Sequence, residues 1–342
     1  MKRGVGVFLA GLGAFLLVLA LLLKFVAVPK LAVAPITPGT DGISTSLNIG
    51  VAKTLFYPGK IGSGENPTRT NVPLTATRTT RGDVLASTTP EAEAANLVVW
   101  DSFQNVVDDE GNTIDASTIR LAFNRTTSIL SNCCGTNVDG EAADFVGVSP
   151  FKFPFNTEQK DYDWYDSGLN TTAPAKFLGT DTIEGVQVYK FQQIIPPYKT
   201  GELEVPGDLV GSTEASVVAN RYKESDTIVF IEPITGAAVD GRQHQHQYLA
   251  GADGTTEALT IIDAELGAAP KDVADGAIST GKSAALLVLL GSTVPLAAGI
   301  LGVIALLLGF FLATRPRADE AETGESVASA PGGSGNVNLS KQ

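Results

Sequence analysis

The residues with chemistry to offer are few. Cys133 and Cys134 are adjacent and are the only cysteines in the 342-residue chain. Neighbouring cysteines can close a strained eight-membered ring that locks a turn, and Gly135 after them suits one. Their Cα atoms lie about 3.8 Å apart, outside the usual disulfide spacing. The pair reads as a structural vicinal disulfide, with an intermolecular bridge or two free thiols as the alternatives. Redox catalysis would call for a Cys-x-x-Cys spacing. His244 and His246 are the only histidines. Two apart on a strand, they share a face, and with Glu232 or Asp240 nearby they could ligate a metal. Structural zinc normally takes four ligands, and a solvated polar strand face explains Gln243, Gln245 and Gln247 along with them. Asp108-Asp109-Glu110-Gly111-Asn112 resembles part of a calcium loop but lacks the later bidentate glutamate; a hairpin turn is the simpler reading. Asp161, Asp163 and Asp166 alternate with Tyr162, Trp164 and Tyr165. That pattern could stack a sugar or hold a cation, but aromatics packed at a core edge with aspartates facing water account for it. No Gly-x-Ser-x-Gly elbow or His-Glu-x-x-His zinc motif occurs. No catalytic residue, metal or cofactor is therefore expected, and the chain reads as non-enzymatic.

The elements that must position these residues begin with two apolar segments. Residues 4–23 carry no charge, and about 20 helical residues match a hydrocarbon core of about 30 Å. Lys2 and Arg3 precede this run and Lys24 follows, where it can snorkel to the headgroups. A cleaved secretory signal is disfavoured by the run's length and by Pro29 and Pro35 after the small-residue sites. Residues 284–313 form a second uncharged run. About 30 residues exceed one simple span, so a tilt, or a kink at Pro295, is expected. Arg315 and Arg317 stop it. Basic flanks before the first span and after the second place both termini in the cytoplasm. The expected layout is a cytoplasmic N-terminus (1–3), a transmembrane helix (4–23), an extracytoplasmic domain (24–283), a second transmembrane helix (284–313) and a disordered cytoplasmic tail (314–342) in the cytoplasmic membrane. Gly6, Ala10 and Ala14, and Ala305, Gly309 and Ala313, recur at four-residue spacing, which permits close helix approach.

The outer region lacks long amphipathic helical patterns. Short β-branched and aromatic runs are divided by Gly, Pro, Asn and Asp. Residues 72–81, a Gly82-Asp83 turn and 84–88 suggest one hairpin; 96–107, the Asp108 turn and the run from Thr113 suggest another. Residues 185–195 alternate as a half-buried strand, and 227–233, 237–240 and 242–249 continue in that manner. Residues 255–265 are ambiguous between helix and strand. The fold class is mainly β and antiparallel, with an open or a barrel-like sheet as the alternatives, flanked by two transmembrane α-helices. The formal net charge of −13 repels phosphate backbones, so nucleic acid is not an expected partner.

Several motifs carry a family resemblance. They are Asn132-Cys133-Cys134-Gly135, Phe151-Lys152-Phe153-Pro154-Phe155 leading to residues 162–166, Gly185-Val186-Gln187-Val188-Tyr189, the Glu232-Pro233-Ile234-Thr235-Gly236 turn, and the anchors at either end. On these the chain resembles the actinobacterial PorA-type porin family over nearly its full length. The resemblance implies an envelope protein of high-GC Gram-positive bacteria and supplies no catalytic residues. The layout is also similar, in topology alone, to class B scavenger receptors, whose anchored β-rich domain carries lipid through a tunnel. Two functions are held side by side: an outer domain that binds or conducts lipid or another hydrophobic ligand in that manner, and a non-transporting scaffold or assembly factor that binds another envelope protein or wall polymer. A pore ranks below both, because a pore-forming barrel needs strands with a lipid-facing apolar side. Oligomeric state and cavity-lining residues are not legible.

Overall fold

The computed structural model describes residues 2–39 and 41–314. Arg315, Arg317 and the tail lie outside the described residues. Helix α1 (Lys2–Leu22) passes through a π turn (Leu23–Ala27) into α2 (Val28–Leu31). Strands β1 (Ile43–Phe56) and β2 (Thr68–Gly82) come next, then short helices α3 (Val84–Ser87) and α4 (Pro90–Ala94). Strands β3 (Leu97–Asp108) and β4 (Thr113–Asn124) precede the two-residue strands β5 (Leu130–Ser131), β6 (Asn137–Val138) and β7 (Glu141–Ala142). The meander then resumes with β8 (Tyr162–Asp166), β9 (Thr171–Ile183), β10 (Val186–Pro206), β11 (Ser216–Ile231), β12 (Ala238–Ala250) and β13 (Glu257–Ala268). Helix α5 (Pro270–Val288), a second π turn (Leu289–Thr293) and α6 (Val294–Thr314) end the described chain.

The described residues divide into two compact units, one of residues up to Val18 with those from Ala298 onward, the other Leu19–Ala297. In the first unit two antiparallel apolar helices meet at their glycines. A Cβ on Gly6 would fall 2.7 Å from the Ala313 nitrogen, and one on Gly13 would fall 2.6 Å from the Gly302 oxygen. The four-spaced pairs Gly6 and Ala10, and Gly309 and Ala313, meet as expected, since a Cβ on Gly309 would fall 2.4 Å from the Ala10 nitrogen; the seam continues through Gly13 and Gly302, seven residues from Gly6 and Gly309, while Ala14 is exposed. A seven-residue repeat keeps one face towards an antiparallel neighbour over two turns, which four-residue spacing alone does not.

The second unit holds the sheet, in the order β7-β6-β4-β3-β2-β1-β13-β12-β11-β10-β9-β8, with β5 beside β4. All its ladders are antiparallel. The first long strand pairs with the last, so two meanders join into one curved sheet. The sheet is not closed into a barrel, so of the two alternatives the open form is the one found. Between its two ends runs a single extended residue, Val148, bridged to Ile129 on one side and Trp164 on the other. Strands are longer than their punctuation suggests. β10 runs 21 residues through Pro196-Pro197 and Gly201 by means of two register shifts, since bulges let a ladder continue past residues that break its regularity. Residues 255–265 resolve as strand, with Ile262 and Ala264 buried on one face. Val84–Ser87 form a helix rather than a hairpin arm, because Asp83 caps it by accepting from the Ala86 amide at 2.9 Å.

Both π turns have one cause. Val28 donates to the Leu23 carbonyl and Val294 to the Leu289 carbonyl, each one residue before a proline, Pro29 or Pro295. A proline has no N–H to offer the carbonyl four residues back, and the ladder slips by one residue to accommodate it. The expected kink at Pro295 takes this form.

Candidate functional site

The Glu232–Gly236 turn between β11 and β12 organises the best-formed site. The Glu232 side chain is 3% exposed. Its carboxylate accepts from the Ile234 amide (2.9 Å), the Thr235 amide (2.7 Å) and the Thr235 hydroxyl (2.6 Å), which uses its lone pairs within one turn. Gly236 has φ +71°, and a Cβ there would lie 2.1 Å from the Phe153 carbonyl oxygen; the Phe151–Phe155 loop passes directly across the turn. Phe153 N donates to Gly236 O at 2.8 Å, Asn156 N to Ile234 O at 3.1 Å and Thr157 N to Pro233 O at 2.7 Å. Lys152 is buried with the turn. Its ammonium donates to the Phe153 carbonyl at 2.8 Å and to the Thr235 carbonyl, and sits 3.7 Å from the Phe155 ring centroid. Burial pushes its pKa down to about 7, against the pull of Glu232. Phe153 packs edge-on against Tyr162 and at a tilt against Phe191 and Trp164, with centroids 4.8–5.7 Å apart.

Beside this turn helix α5 lies on the outer face of the sheet. Its small residues Ala277, Gly281 and Ala284 recur on one helical face, and Ala277 packs with Val188, Phe230 and Val239. A Cβ on Gly281 would come 2.8 Å from the Val186 side chain, so the glycine sets how closely the helix approaches β10. Between α5, the Gly185-Val186 turn and the Glu232 turn runs an open groove of about 710 Å³. Val186, Tyr189, Pro233, Ile234, Ile278 and Ala285 make its walls mostly apolar, and Lys282 is its one exposed cation. The volume falls in the range of small-molecule sites.

A family model described as Porin PorA matches residues 5–311. The chain belongs to the Porin PorA family. Porin PorA of Corynebacterium amycolatum is 25% identical to it over 318 residues, 76% of this chain and 81% of that one. Porin PorA of Corynebacterium resistens is 26% identical over 263 residues, 65% of this chain and 61% of that one, so less than two thirds of this second relative is spanned. As a PorA protein with apolar helices of 28 residues (Gly4–Leu31) and 45 residues (Pro270–Thr314) long enough to cross a membrane, it is a membrane-associated envelope protein with two candidate spans.

Two of the family motifs named above line the groove, and a third braces one of them from behind. Phe151–Phe155 and Glu232–Gly236 hold each other, and Gly185–Tyr189 forms the opposite lip. Tyr162–Asp166 lies behind them as β8, with Trp164 and Tyr165 buried. Its aspartates serve local structure: Asp161 accepts from the Phe177 amide, and Asp166 from the amides of Gly168 and Leu169, all at 2.9 Å. Cys133 and Cys134 lie elsewhere, in the β5–β6 connection, with sulfur atoms 2.21 Å apart. The Cys134 carbonyl accepts from Arg120 Nε at 3.0 Å, and the same guanidinium pairs with Asp101 (2.8 Å) and Asp83 (2.7 Å).

His244 and His246 do share a face of β12, where each meets carboxylates: Asp263 at 2.7 Å for His244, and Glu224 at 2.9 Å and Glu257 at 3.2 Å for His246. Burial opposes the charged form of His246, but the two glutamates raise its pKa overall. Among the described residues no cluster of three or more His, Cys, Asp and Glu is arranged to hold a metal. The Asp108 carboxylate closes the β3–β4 turn through the amides of Glu110 (2.9 Å) and Asn112 (2.8 Å).

A further sequence match lies inside α5. Gly276-Ala277-Ile278-Ser279-Thr280-Gly281-Lys282-Ser283 has the spacing of a phosphate-binding loop, and Ser279-x-x-Lys282 that of a serine–lysine pair. The structure supports neither use. All eight residues are interior to one helix, whose amides are spent on its own carbonyls, whereas a phosphate loop needs a strand–loop–helix context with free amides. No hydrogen bond joins Ser279 to Lys282, and both are exposed. What sequence reasoning misses is the groove, whose walls come from four separated segments.

Proposed function

We propose that this PorA protein is a non-enzymatic lipid-binding protein of the cell envelope. Its β-rich domain (24–283) faces away from the cytoplasm, its anchors (4–23 and 284–313) sit in the cytoplasmic membrane and both termini lie inside. The groove beside α5 is where the domain takes a lipid or similar hydrophobic ligand. The observation that carries this reading is the groove's position. It is mostly apolar and about 710 Å³ in volume, and its floor is laid on the helix that continues as the second anchor. A lipid drawn from the bilayer would meet it without crossing open water, an excursion that costs about 0.8 kcal/mol for each methylene exposed. The vicinal Cys133–Cys134 disulfide belongs to the same proposal as a structural lock, not a redox centre.

The test is native mass spectrometry of the full chain, released from detergent after incubation with an envelope lipid extract. Ile278 lines the groove and is 52% exposed, so Ile278→Asp should spare folding. The expected outcome is a lipid adduct on the wild type that the variant loses. An adduct-free wild type, or one unaffected by Ile278→Asp, refutes the reading.

One observation favours the scaffold instead. The outer face of β1–β3 presents Ile43, Ile49, Val51 and Phe103, each 43–48% exposed, among Thr75, Thr77 and Thr79 at neighbouring register positions. Exposed apolar surface of this kind marks protein contacts. Capture of a partner that Phe103→Asp abolishes, with no lipid bound, would favour it. The two relatives are named porins, and conductance in planar bilayers is the corresponding test for a pore.

A further inference from the structure

We infer that the apolar helix pair formed by residues 25–31 and 283–294 stands outside the hydrocarbon core and serves as a ramp along which a lipid acyl chain passes between the bilayer and the groove. The inference rests on the lipid reading of the groove and adds the route.

The argument starts with lengths. The uncharged run 284–313 would extend about 45 Å as a helix, about 15 Å more than a hydrocarbon core. The first anchor has no such excess, because its uncharged run, 4–23, ends at Lys24, about one core thickness from its start. The level of Lys24 on the second anchor is set by the contact between the two π turns. Gly291 is seated on Val28, where a Cβ would be 3.4 Å from the valine side chain. Because the helices are antiparallel, Lys24, one turn before Val28, lies level with Pro295. If Lys24 snorkels at the outer boundary, the helix from residue 283 to 294 lies beyond the core over about 18 Å, which agrees with the excess found from length alone.

That stretch is not dressed for water. Phe25, Val26, Leu31, Leu286, Val288 and Leu289 are between 43% and 66% exposed, and neither segment carries a charge except Lys30. Its far end is continuous with the groove, since Ala284 and Ala285 belong to both. An apolar track that begins at the bilayer edge and ends in an apolar groove is matched by an acyl chain.

The test uses the full chain in proteoliposomes of phosphatidylcholine carrying a labelled diacyl phospholipid. p-Benzoylphenylalanine replaces Leu286, Leu289 or Ile278 and is photolysed. In parallel Leu286→Cys, Leu289→Cys and Leu301→Cys are treated with a membrane-impermeant maleimide. Lipid adducts at all three photoreactive positions are expected, with positions 286 and 289 labelling roughly tenfold faster than 301, which lies within the core. Labelling at 286 and 289 as slow as at 301 would put the pair inside the bilayer and overturn the ramp. So would adducts to a second copy of the chain, which would make it a dimer contact. Lipid captured at 278 but not at 286 or 289 would leave the groove standing and remove the ramp; no lipid at 278 would remove the groove reading as well.

Discussion

Replacing Gly236 by alanine tests whether the Glu232 turn and the Phe151–Phe155 loop form one interlocked wall. Two penalties combine. A non-glycine residue at φ +71° costs about 1–2 kcal/mol. The added Cβ would also stand 2.1 Å from the Phe153 oxygen and 2.4 Å from the Pro154 oxygen, so the loop must withdraw. Withdrawal strains or breaks the bonds from the Phe153, Asn156 and Thr157 amides to the turn, each worth about 1 kcal/mol. The expected loss is roughly 3–5 kcal/mol, or about 10 °C in Tm for a domain of this size. Gly111 supplies the control. It has φ +83° with nothing within 4 Å of a built Cβ, so Gly111→Ala pays only the backbone cost of about 1–2 kcal/mol. Thermal unfolding followed by the fluorescence of Trp100 and Trp164, both buried in the sheet's core clusters, reads the two variants side by side. If Gly236→Ala melts within a degree or two of Gly111→Ala, the loop is not held against the turn and the interlock described above is wrong.

Other consequences follow from the same geometry. Burial lowers the Lys152 pKa from 10.5 to about 7, so between those values the unfolded chain binds more protons than the folded one and stability rises with pH; Lys152→Met should flatten the rise in Tm seen for the wild type from pH 7 to 9.5. His246 has the opposite sign. Its raised pKa contributes stability that is present below the ordinary value of 6.5 and lost as pH climbs through the folded value, so the Tm difference between wild type and His246→Gln should be largest near pH 5.5 and shrink by pH 8. Intact mass before and after reduction should differ by two hydrogens for the wild type and not for Cys134→Ser, and equal masses would remove the vicinal disulfide. Gly13→Leu should part the two spans, since a Cβ there meets the Gly302 oxygen and the Leu306 nitrogen at 2.6 Å; unchanged cross-linking between Ala10→Cys and Gly309→Cys would contradict the seam.

The anchors and the antiparallel β class were legible because their signals are local. A charge-free run is visible in one window, and the alternation of Val186, Val188 and Phe191 marks a face. The exceptions come from chemistry that local pattern does not weigh. Residues 84–88 follow a turn signal that suggests a hairpin, yet one carboxylate, Asp83, caps Val84–Ser87 as a helix. The helix seam uses the four-spaced pairs Gly6 and Ala10, and Gly309 and Ala313, but then passes through Gly13 and Gly302 and leaves Ala14 exposed. The openness of the sheet depends on how its two ends meet across Val148, a pairing nothing in the sequence around it specifies. Strand alternation alone puts His244 and His246 on one face, but the carboxylates opposite them come from β11 and β13 by register.

The pairing of the first long strand with the last explains why the groove and an anchor coincide. β1 and β13 run together from Asn48 opposite Ala268. Just beyond that register Ala269 N donates to Leu47 O at 2.9 Å, while Leu47 N donates to the Asp272 carboxylate at 2.8 Å. Those two bonds fix where the strand stops and α5 starts, and Pro270 at its first turn enforces the start. From there the small face of Ala277, Gly281 and Ala284 keeps the helix against β10, and the groove is the space left where the Glu232 turn stands away from it. The position of the groove on the anchoring helix is thus set by a strand more than 200 residues earlier. Asp272→Asn should accordingly loosen α5 and weaken lipid capture at Ile278, although Asp272 lines no part of the groove.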